Sequence, residues 1–289
     1  MMGRLRTLAL FGGLTALMML AGYVAAGYGM AGGNVWAAML MFAFFAFVLN
    51  FVMYFWSHKF VLWSYKARIV TPEEAPRLHR IVRKVSEAAG LPMPTVAVIP
   101  LAVPNAFATG RNPKHAVVAA TDGILRMLDD EELEGVMAHE IAHVSNRDML
   151  VMTVAATVAG AVTFAARMLF WNALFGGGDN RNPMMMLVGL VFMVLAPVAA
   201  IIIQLSISRS REFKADAVGA RISGKPLALA AALEKMEQVA KGYPLTDRNA
   251  SSATASLFIV NPFRGGGMSK LFSTHPDTQE RIRRLKAMA

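Results

Sequence analysis

The stretch Asp129–His143, DDEELEGVMAHEIAH, predicts an amphipathic helix that carries two histidines on one face. Four acidic residues at its start suit a helix N-terminus, where the helix dipole favours negative charge. His139 and His143 are four residues apart, so their imidazoles lie one turn from each other on the same side. Apolar residues at helical spacing predict the buried face: Leu133, Val136, Met137, Ala138 and Ile141.

This His-Glu-x-x-His spacing is typical of a zinc site. Two imidazole nitrogens one turn apart can both bind a Zn²⁺ ion at about 2.0–2.1 Å. Glu140 is rotated by about 100° from His139, so we expect its carboxylate to reach the water that the metal activates. An ordinary amphipathic helix with two surface histidines gives the same pattern, so the hypothesis requires a third ligand.

The third ligand is found by elimination. The chain has no Cys. A further His six residues after His143 is ruled out because that position is Met149. A carboxylate must therefore complete the site. Asp148 is too close to His143 in the chain to turn onto the same metal. Asp179 belongs to the loop between two apolar segments that are predicted below to cross a membrane, and this loop lies on the far side of that membrane.

The next carboxylates in the chain are Glu212 and Asp216, again four residues apart. We predict that Glu212 is the third metal ligand. We predict that Asp216 accepts a hydrogen bond from a ligand histidine and so orients its ring. Without the histidine pair, the same two residues would be a helix N-terminal charge and a surface acid.

The composition indicates a membrane protein. Of the 289 residues, 55% are hydrophobic and only 17% charged, with a mean hydropathy of +0.44, whereas globular chains carry about 25% charged residues. The apolar residues concentrate in four segments of about 20 residues, the length that crosses a bilayer. These segments are Leu8–Tyr28, Val35–Trp56, Met149–Phe170 and Met184–Ile207.

The fold class that follows is a mainly α integral membrane protein with four transmembrane helices and a zincin-like α+β catalytic domain with a small sheet. A signal peptide is the alternative for the first segment, but that segment is too long and a second one follows it. The predicted division is a membrane hairpin, a catalytic portion with the histidine helix, a second hairpin, and a portion that completes the site: 1–57, 58–148, 149–207 and 208–289.

Basic residues set the predicted orientation. Lys59, Lys66 and Arg68 follow the second segment, whereas the connection 29–34 contains no Lys or Arg. By the positive-inside rule, both polar portions and both termini face the cytosol. The net charge of +10 is explained by these flanking residues, so we expect the lipid bilayer as a partner and no nucleic acid.

The polar portions contain recognisable elements. Thr71-Pro72-Glu73-Glu74 predicts a capping box at the start of a helix that ends at Gly90. Two β-like runs follow, at Val96–Ile99 and Ala116–Ala120. Three further helices are predicted, over Arg209–Ile222, over Lys225–Lys241 and from about Asp277.

Taken together, these motifs resemble the HtpX family of membrane-bound zinc metalloproteases, distant kin of the CAAX prenyl proteases. The resemblance rests on the histidine motif and the membrane hairpins, and on three further segments. These are Ser208-Arg209-x-Arg211-Glu212-x-x-Ala215-Asp216, Ser273-Thr274-His275-Pro276 and Asn105-Ala106-Phe107-Ala108.

The resemblance implies a gluzincin-type endopeptidase with one Zn²⁺ per subunit and Glu140 as general base. It implies that His275 stabilises the oxyanion, although capping the helix near Asp277 explains that residue equally well. Asn105, Ala106, Phe107 and Ala108 resemble an edge segment along which a peptide substrate lies. The implied role is quality control of misfolded or damaged membrane proteins at the cytosolic face of a bacterial inner membrane, under stress.

Two alternatives remain open from the sequence. An intramembrane protease would bury its metal in lipid, but the acidic run Asp129–Glu132 favours a helix at or outside the membrane surface. A catalytically silent scaffold or transporter is the other alternative, although the apolar segments contain few polar residues that would form a substrate path.

Overall fold

The structure is a computed structural model that describes residues 30–146, 209–242 and 276–289, with scattered positions between 11 and 26. The predicted spans at 149–170 and 184–207 lie outside the described residues, as does His275. The helices are α1 (Val35–Ser64), α2 (Pro76–Ala88), α3 (Asp122–Met127), α4 (Asp130–Asn146), α5 (Arg209–Ser223), α6 (Pro226–Gly242) and α7 (Thr278–Lys286). The strands are β1 (Arg68–Ile69), β2 (Thr95–Ile99), β3 (Ala106–Thr109) and β4 (Val117–Thr121).

Helix α1 is 30 residues long and begins where the Asn34 side chain accepts a hydrogen bond from the Ala37 amide, at 3.0 Å. Its segment Val35–Val52 is the one candidate membrane span among the described residues. The helix continues past Trp56, the predicted end of the span, because the chain has no Gly or Pro before Ser64.

The first two apolar segments pack side by side. The Asn50 amide donates to the Thr15 hydroxyl at 3.0 Å and to the Phe11 carbonyl at 3.3 Å. A Cβ added at Gly22 would lie 2.9 Å from the Ala38 carbonyl oxygen. The two segments of the chain therefore approach closely enough for backbone contact at these positions, as in a helical hairpin.

The capping box forms but does not start the helix. The Thr71 amide donates to the Glu74 carboxylate at 2.8 Å, and the Glu74 amide donates to the Thr71 hydroxyl at 3.4 Å. These bonds close an isolated turn, and α2 begins only at Pro76. The predicted start at Pro72 is wrong because a residue before proline avoids the α region, and Ala75 has φ −136° and ψ 63°.

The four strands form one mixed sheet in the order β1-β2-β4-β3. The two predicted runs correspond to β2 and β4, which pair in parallel with Thr95 opposite Val117. Strand β3 pairs antiparallel with β4, with Ala106 opposite Ala120, and forms one edge of the sheet. The two-residue β1 was not predicted, since so short a strand has no periodicity.

The sheet is covered on both faces. One face packs with α2, α4 and α6 through buried residues that include Val96, Ala108 and Val118. The other face packs against the C-terminal end of α1 through a second cluster: Val61, Tyr65, Ala97, Ile99, Phe107, Val117 and Ala119. The C-terminal end of α1 is thus part of the core of the portion that follows it.

Helix α4 lies at the centre of the helical layer, with every residue from Glu132 to Val144 buried. Its predicted start is confirmed, because Asp129 and Glu132 exchange amide-to-carboxylate hydrogen bonds of 3.1 and 2.9 Å. Helix α5 crosses it at Gly219, where an added Cβ would lie 2.8 Å from the His139 amide nitrogen. The absent side chain lets the backbones of α4 and α5 touch.

Candidate metal and active site

The two histidines of α4 meet at their Nε2 atoms. His139 and His143 are 1% and 4% exposed, which excludes the reading of two surface histidines. Their Nε2 atoms are 3.2 Å apart and the rings are nearly perpendicular, at 88°. Both nitrogens therefore point at the same small volume.

Glu212, on the first turn of α5, faces this volume from the opposite helix. Its carboxylate oxygens lie 3.6 Å from Nε2 of His139 and 3.5 Å from Nε2 of His143. A tetrahedral Zn²⁺ ion with bonds of about 2.0–2.1 Å separates its ligand atoms by about 3.3 Å. The three buried residues therefore form a donor set that fits such an ion.

Asp216 lies one turn further along α5 and contacts the other side of the His139 ring. Its Oδ1 is 2.9 Å from Nδ1 of His139. A carboxylate at this nitrogen orients the ring and directs the Nε2 lone pair towards a metal. The sequence placed Asp216 in this position relative to a ligand histidine, and the structure identifies His139 as that histidine.

Arg281 is the residue of the site that the sequence analysis missed. Its guanidinium is 1% exposed and donates two hydrogen bonds to Asp216, at 2.8 and 2.7 Å. Its Nη1 also lies 3.5 Å from Glu212. The available signal was its position on the apolar stripe of α7, since Arg281, Ile282 and Leu285 are the buried residues of that helix.

Glu140 links the histidine helix to the sheet. Its carboxylate accepts a hydrogen bond of 2.9 Å from the Ala108 amide of β3. The predicted substrate segment is thus brought beside the predicted general base. Asn105 precedes β3, while Ala106, Phe107 and Ala108 form most of it.

The site shifts the pKa values of its members in different directions. Burial would lower the pKa of His139, but hydrogen bonds with Asp216 and Glu212 raise it to about 9. Burial lowers the pKa of His143 to about 4. Burial would raise the pKa of Asp216, but the charge of Arg281 lowers it to about 2.

Glu140 is affected differently, because no cation of the described residues forms an ion pair with it. Burial raises the pKa of Glu140 to about 7, although the charge of His139 opposes the rise. A carboxyl group with a pKa near neutrality can both accept and release a proton at physiological pH. A buried acid between a metal-ligand cluster and the edge strand of a sheet is an arrangement that suits metal-assisted hydrolysis of an extended peptide.

Comparisons with known proteins agree with the class of protein that this site defines, a metallopeptidase. Residues 72–289 match the family description "Peptidase family M48", and the chain belongs to that family. It is similar to curated proteins named "Protease HtpX homolog". That of Thermococcus sibiricus is 51% identical over 99% of this chain and 96% of its own length. Those of Persephonella marina and Pyrococcus furiosus are 49% and 50% identical, over 100% and 98% of this chain and 98% and 95% of theirs.

A solved structure supports the fold. The crystal structure of S. mikatae Ste24p matches with a TM-score of 0.54 at 17% identity, over 98% of this chain. The chain spans 65% of the length of that structure. The expected resemblance to HtpX proteases is confirmed by these comparisons, and the likeness to Ste24p shows a shared fold.

Proposed function

We propose that the chain is a zinc-dependent membrane endopeptidase that cleaves unfolded or damaged membrane proteins on the cytosolic side of the bilayer. His139, His143 and Glu212 would hold one Zn²⁺ ion per subunit, because their spacing and burial fit that ion. When bound, Zn²⁺ supplies Lewis-acid chemistry, acidifying a water molecule and polarising the carbonyl of the scissile bond.

Glu140 is the general base and acid. Its carboxylate takes a proton from the attacking water and passes it to the departing amine. Its raised pKa, about 7, suits both steps. His275, carried over from the family resemblance, is the proposed stabiliser of the oxyanion. Asp216 and Arg281 hold His139 in the orientation that ligation needs.

Strand β3 is the proposed binding site for the substrate backbone. The Thr121 amide of β4 donates to the Asn105 carbonyl at 2.9 Å. The backbone N–H and C=O groups of Asn105, Phe107 and Thr109 therefore point towards β4. The alternate residues Ala106 and Ala108 then direct their backbone groups away from β4, to the edge of the sheet, as the contact from Ala108 to Glu140 indicates. An extended peptide that adds a strand there is recognised through its backbone, which suits a protease with many unfolded clients.

The membrane setting is supported by α1. Val35–Val52 is long and apolar enough to cross a bilayer, and the basic residues Lys59, Lys66 and Arg68 follow on the side of the catalytic portion. We propose a four-span protein of the bacterial inner membrane, with the second hairpin at 149–207 between the metal ligands and a role in quality control under stress.

The intramembrane alternative is disfavoured by ion pairs on α4. Asp130 is about half exposed and pairs with Arg77 and Arg80, and Glu134 pairs with Lys84. Such exposed pairs are stable in water and costly in hydrocarbon. The N-terminal turns of α4 therefore lie in the aqueous phase.

The test replaces the proposed base. The purified Glu140→Ala protein should retain one zinc ion per chain by elemental analysis and lose peptidase activity on casein by about 10² to 10⁴-fold. Glu131→Ala is the matched control, because Glu131 is an exposed acid on the same helix, and it should keep full activity. Undiminished proteolysis by Glu140→Ala would contradict the proposed mechanism.

A further inference from the structure

The last third of α1 extends beyond the hydrocarbon layer. About 20 helical residues cross a bilayer core of about 30 Å, so a span that begins at Val35 leaves the core near Phe55. The remaining turns expose aromatic residues at positions i, i+4 and i+7. Trp56, Phe60 and Trp63 are 46%, 49% and 74% exposed. Aromatic side chains concentrate at the level of the lipid headgroups, so this end of α1 lies in that layer.

The connection between β3 and β4 contacts α1 close to the predicted headgroup layer. The Arg111 guanidinium lies 5.1 Å from the centre of the Phe55 ring, where it makes a cation–π contact. Arg111 is also 3.0 Å from Nε2 of His115. Residues 110–116 therefore contact α1 at the point where it leaves the hydrocarbon.

This connection is held in one shape. Gly110 has φ +135°, and a Cβ added there would lie 2.3 Å from the His115 carbonyl oxygen. The Asn112 side chain accepts a hydrogen bond from the His115 amide at 3.2 Å and lies 2.8 Å from Nδ1 of His115. Arg111 and His115 are thus fixed beside each other before any ligand arrives.

Together the two elements form a basic cluster: His58, Lys59, Arg111, Lys114 and His115. Lys59 follows His58 on α1, and Lys114 is an exposed residue of the same connection as Arg111 and His115. Burial lowers the pKa of His58, and the charges of Lys59, Arg111 and His115 lower it further, so these three side chains lie near the His58 ring. His58 Nδ1 has no hydrogen-bond partner in the described part of the chain.

The basic cluster also lacks acidic partners. Among residues 30–146, 209–242 and 276–289, none of Lys59, Arg111 and Lys114 forms an ion pair with a carboxylate. On the other face of the sheet, by contrast, Arg77 and Lys84 both pair with acids of α4. The positive-inside rule explains Lys59, which directly follows a span, but it does not require Arg111 and Lys114 about fifty residues later.

We infer that the basic cluster binds the phosphate of anionic phospholipid headgroups. The inference rests on the membrane insertion in the proposed function. An arginine held by an aromatic ring presents its planar fork to phosphate oxygens, and the exposed aromatic residues of α1 contact the adjoining acyl chains. Arg111 is three residues beyond Ala108, about 10 Å along an extended chain. A lipid bound there would lie next to the end of the strand that the substrate pairs with.

Lipid binding is measured directly with the inactive Glu140→Ala protein, so the result does not depend on proteolysis. The protein is reconstituted in nanodiscs of phosphatidylcholine with increasing phosphatidylglycerol, and the lipid it retains is counted by native mass spectrometry. We expect retained phosphatidylglycerol, and a midpoint about fivefold higher for each charge removed in Arg111→Gln and Lys114→Gln. Arg126→Gln is the matched control, because Arg126 is exposed and its helix packs in the core cluster on the other face of the sheet from α1, and its midpoint should equal that of the parent.

The same lipid series is then applied to the active protein with a soluble quenched peptide. Phosphatidylglycerol should lower KM, and Arg111→Gln should reduce the ratio of KM values between the two lipids towards one. Three results would overturn the inference. The protein could retain both lipids equally, or Arg126→Gln could raise the phosphatidylglycerol midpoint as much as Arg111→Gln does. The third is displacement of the lipid by millimolar inorganic phosphate. If the active protein retains phosphatidylglycerol but does not cleave the peptide, the result would count against the proposed function and not against lipid binding.

Discussion

Replacing Arg281 with Met removes the cation from a buried ion pair that supports the metal site. The Asp216 carboxylate receives two hydrogen bonds from Arg281, at 2.8 and 2.7 Å, and contacts His139 at 2.9 Å. Without Arg281, a carboxylate that is only 5% exposed loses its cation. Breaking a buried pair in this way costs about 3–5 kcal/mol, which lowers the melting temperature by about 6–20 °C.

Zinc affinity should fall in parallel, because Asp216 no longer holds His139 in a fixed orientation. We expect a loss of about 10 to 100-fold, measured by competition with a chromophoric chelator in detergent. Arg283→Met is the matched control on the same helix. Arg283 is 78% exposed and, within the part of the chain that the structure describes, pairs with Glu280 alone, so its replacement should change stability by about 0.5 kcal/mol or less.

A double variant separates charge burial from ring orientation. Arg281→Met with Asp216→Asn removes the Asp216 charge together with its cation, so the part of the stability that was lost through unpaired Asp216 should return. Zinc binding should stay weak, because the neutral amide does not raise the basicity of His139. An Arg281→Met protein that melts and binds zinc like Arg283→Met would refute the reasoning.

Three further outcomes are expected. Glu212→Ala should abolish zinc binding, whereas Asp216→Ala should weaken it by about 10 to 100-fold; elemental analysis after dialysis that finds one zinc in the Glu212 variant refutes the ligand assignment. Gly219→Ala should lower zinc affinity by about tenfold or more, because its Cβ would sit 2.8 Å from the His139 amide and force α5 away from α4; unchanged affinity in the chelator assay contradicts this. Zinc binding at pH 7 should release about one proton, because the pKa of His139 is about 9 without metal. Zinc affinity should therefore rise about tenfold per pH unit up to pH 9. Calorimetry in buffers of different ionisation enthalpy measures the proton release, and a value of zero would contradict the prediction.

Local patterns predicted the elements of the site well. The acidic start of α4 and its apolar spacing located a helix that is buried along most of its length, and the β-like runs located β2 and β4. Glu212 and Asp216 were found by excluding other carboxylates, and both lie beside His139. The structure brings these residues together because the spacing of side chains within one helix is set by its period.

The remaining features depend on contacts between distant segments. Arg281 is 65 residues from Asp216, so its position on the apolar stripe of α7 indicates burial but does not identify the carboxylate that it contacts. The start of α2 was misplaced because the capping box formed without helix propagation. Gly219 is significant only because α4 lies against it.

The central claim is that His139, His143 and Glu212 bind one zinc ion, and X-ray absorption at the zinc edge tests it most directly. The purified Glu140→Ala protein should show two imidazole nitrogens and carboxylate or water oxygens at about 2.0–2.1 Å, and His143→Ala should lose that spectrum. A zinc environment without two imidazoles, or one that is unchanged in His143→Ala, would contradict the claim.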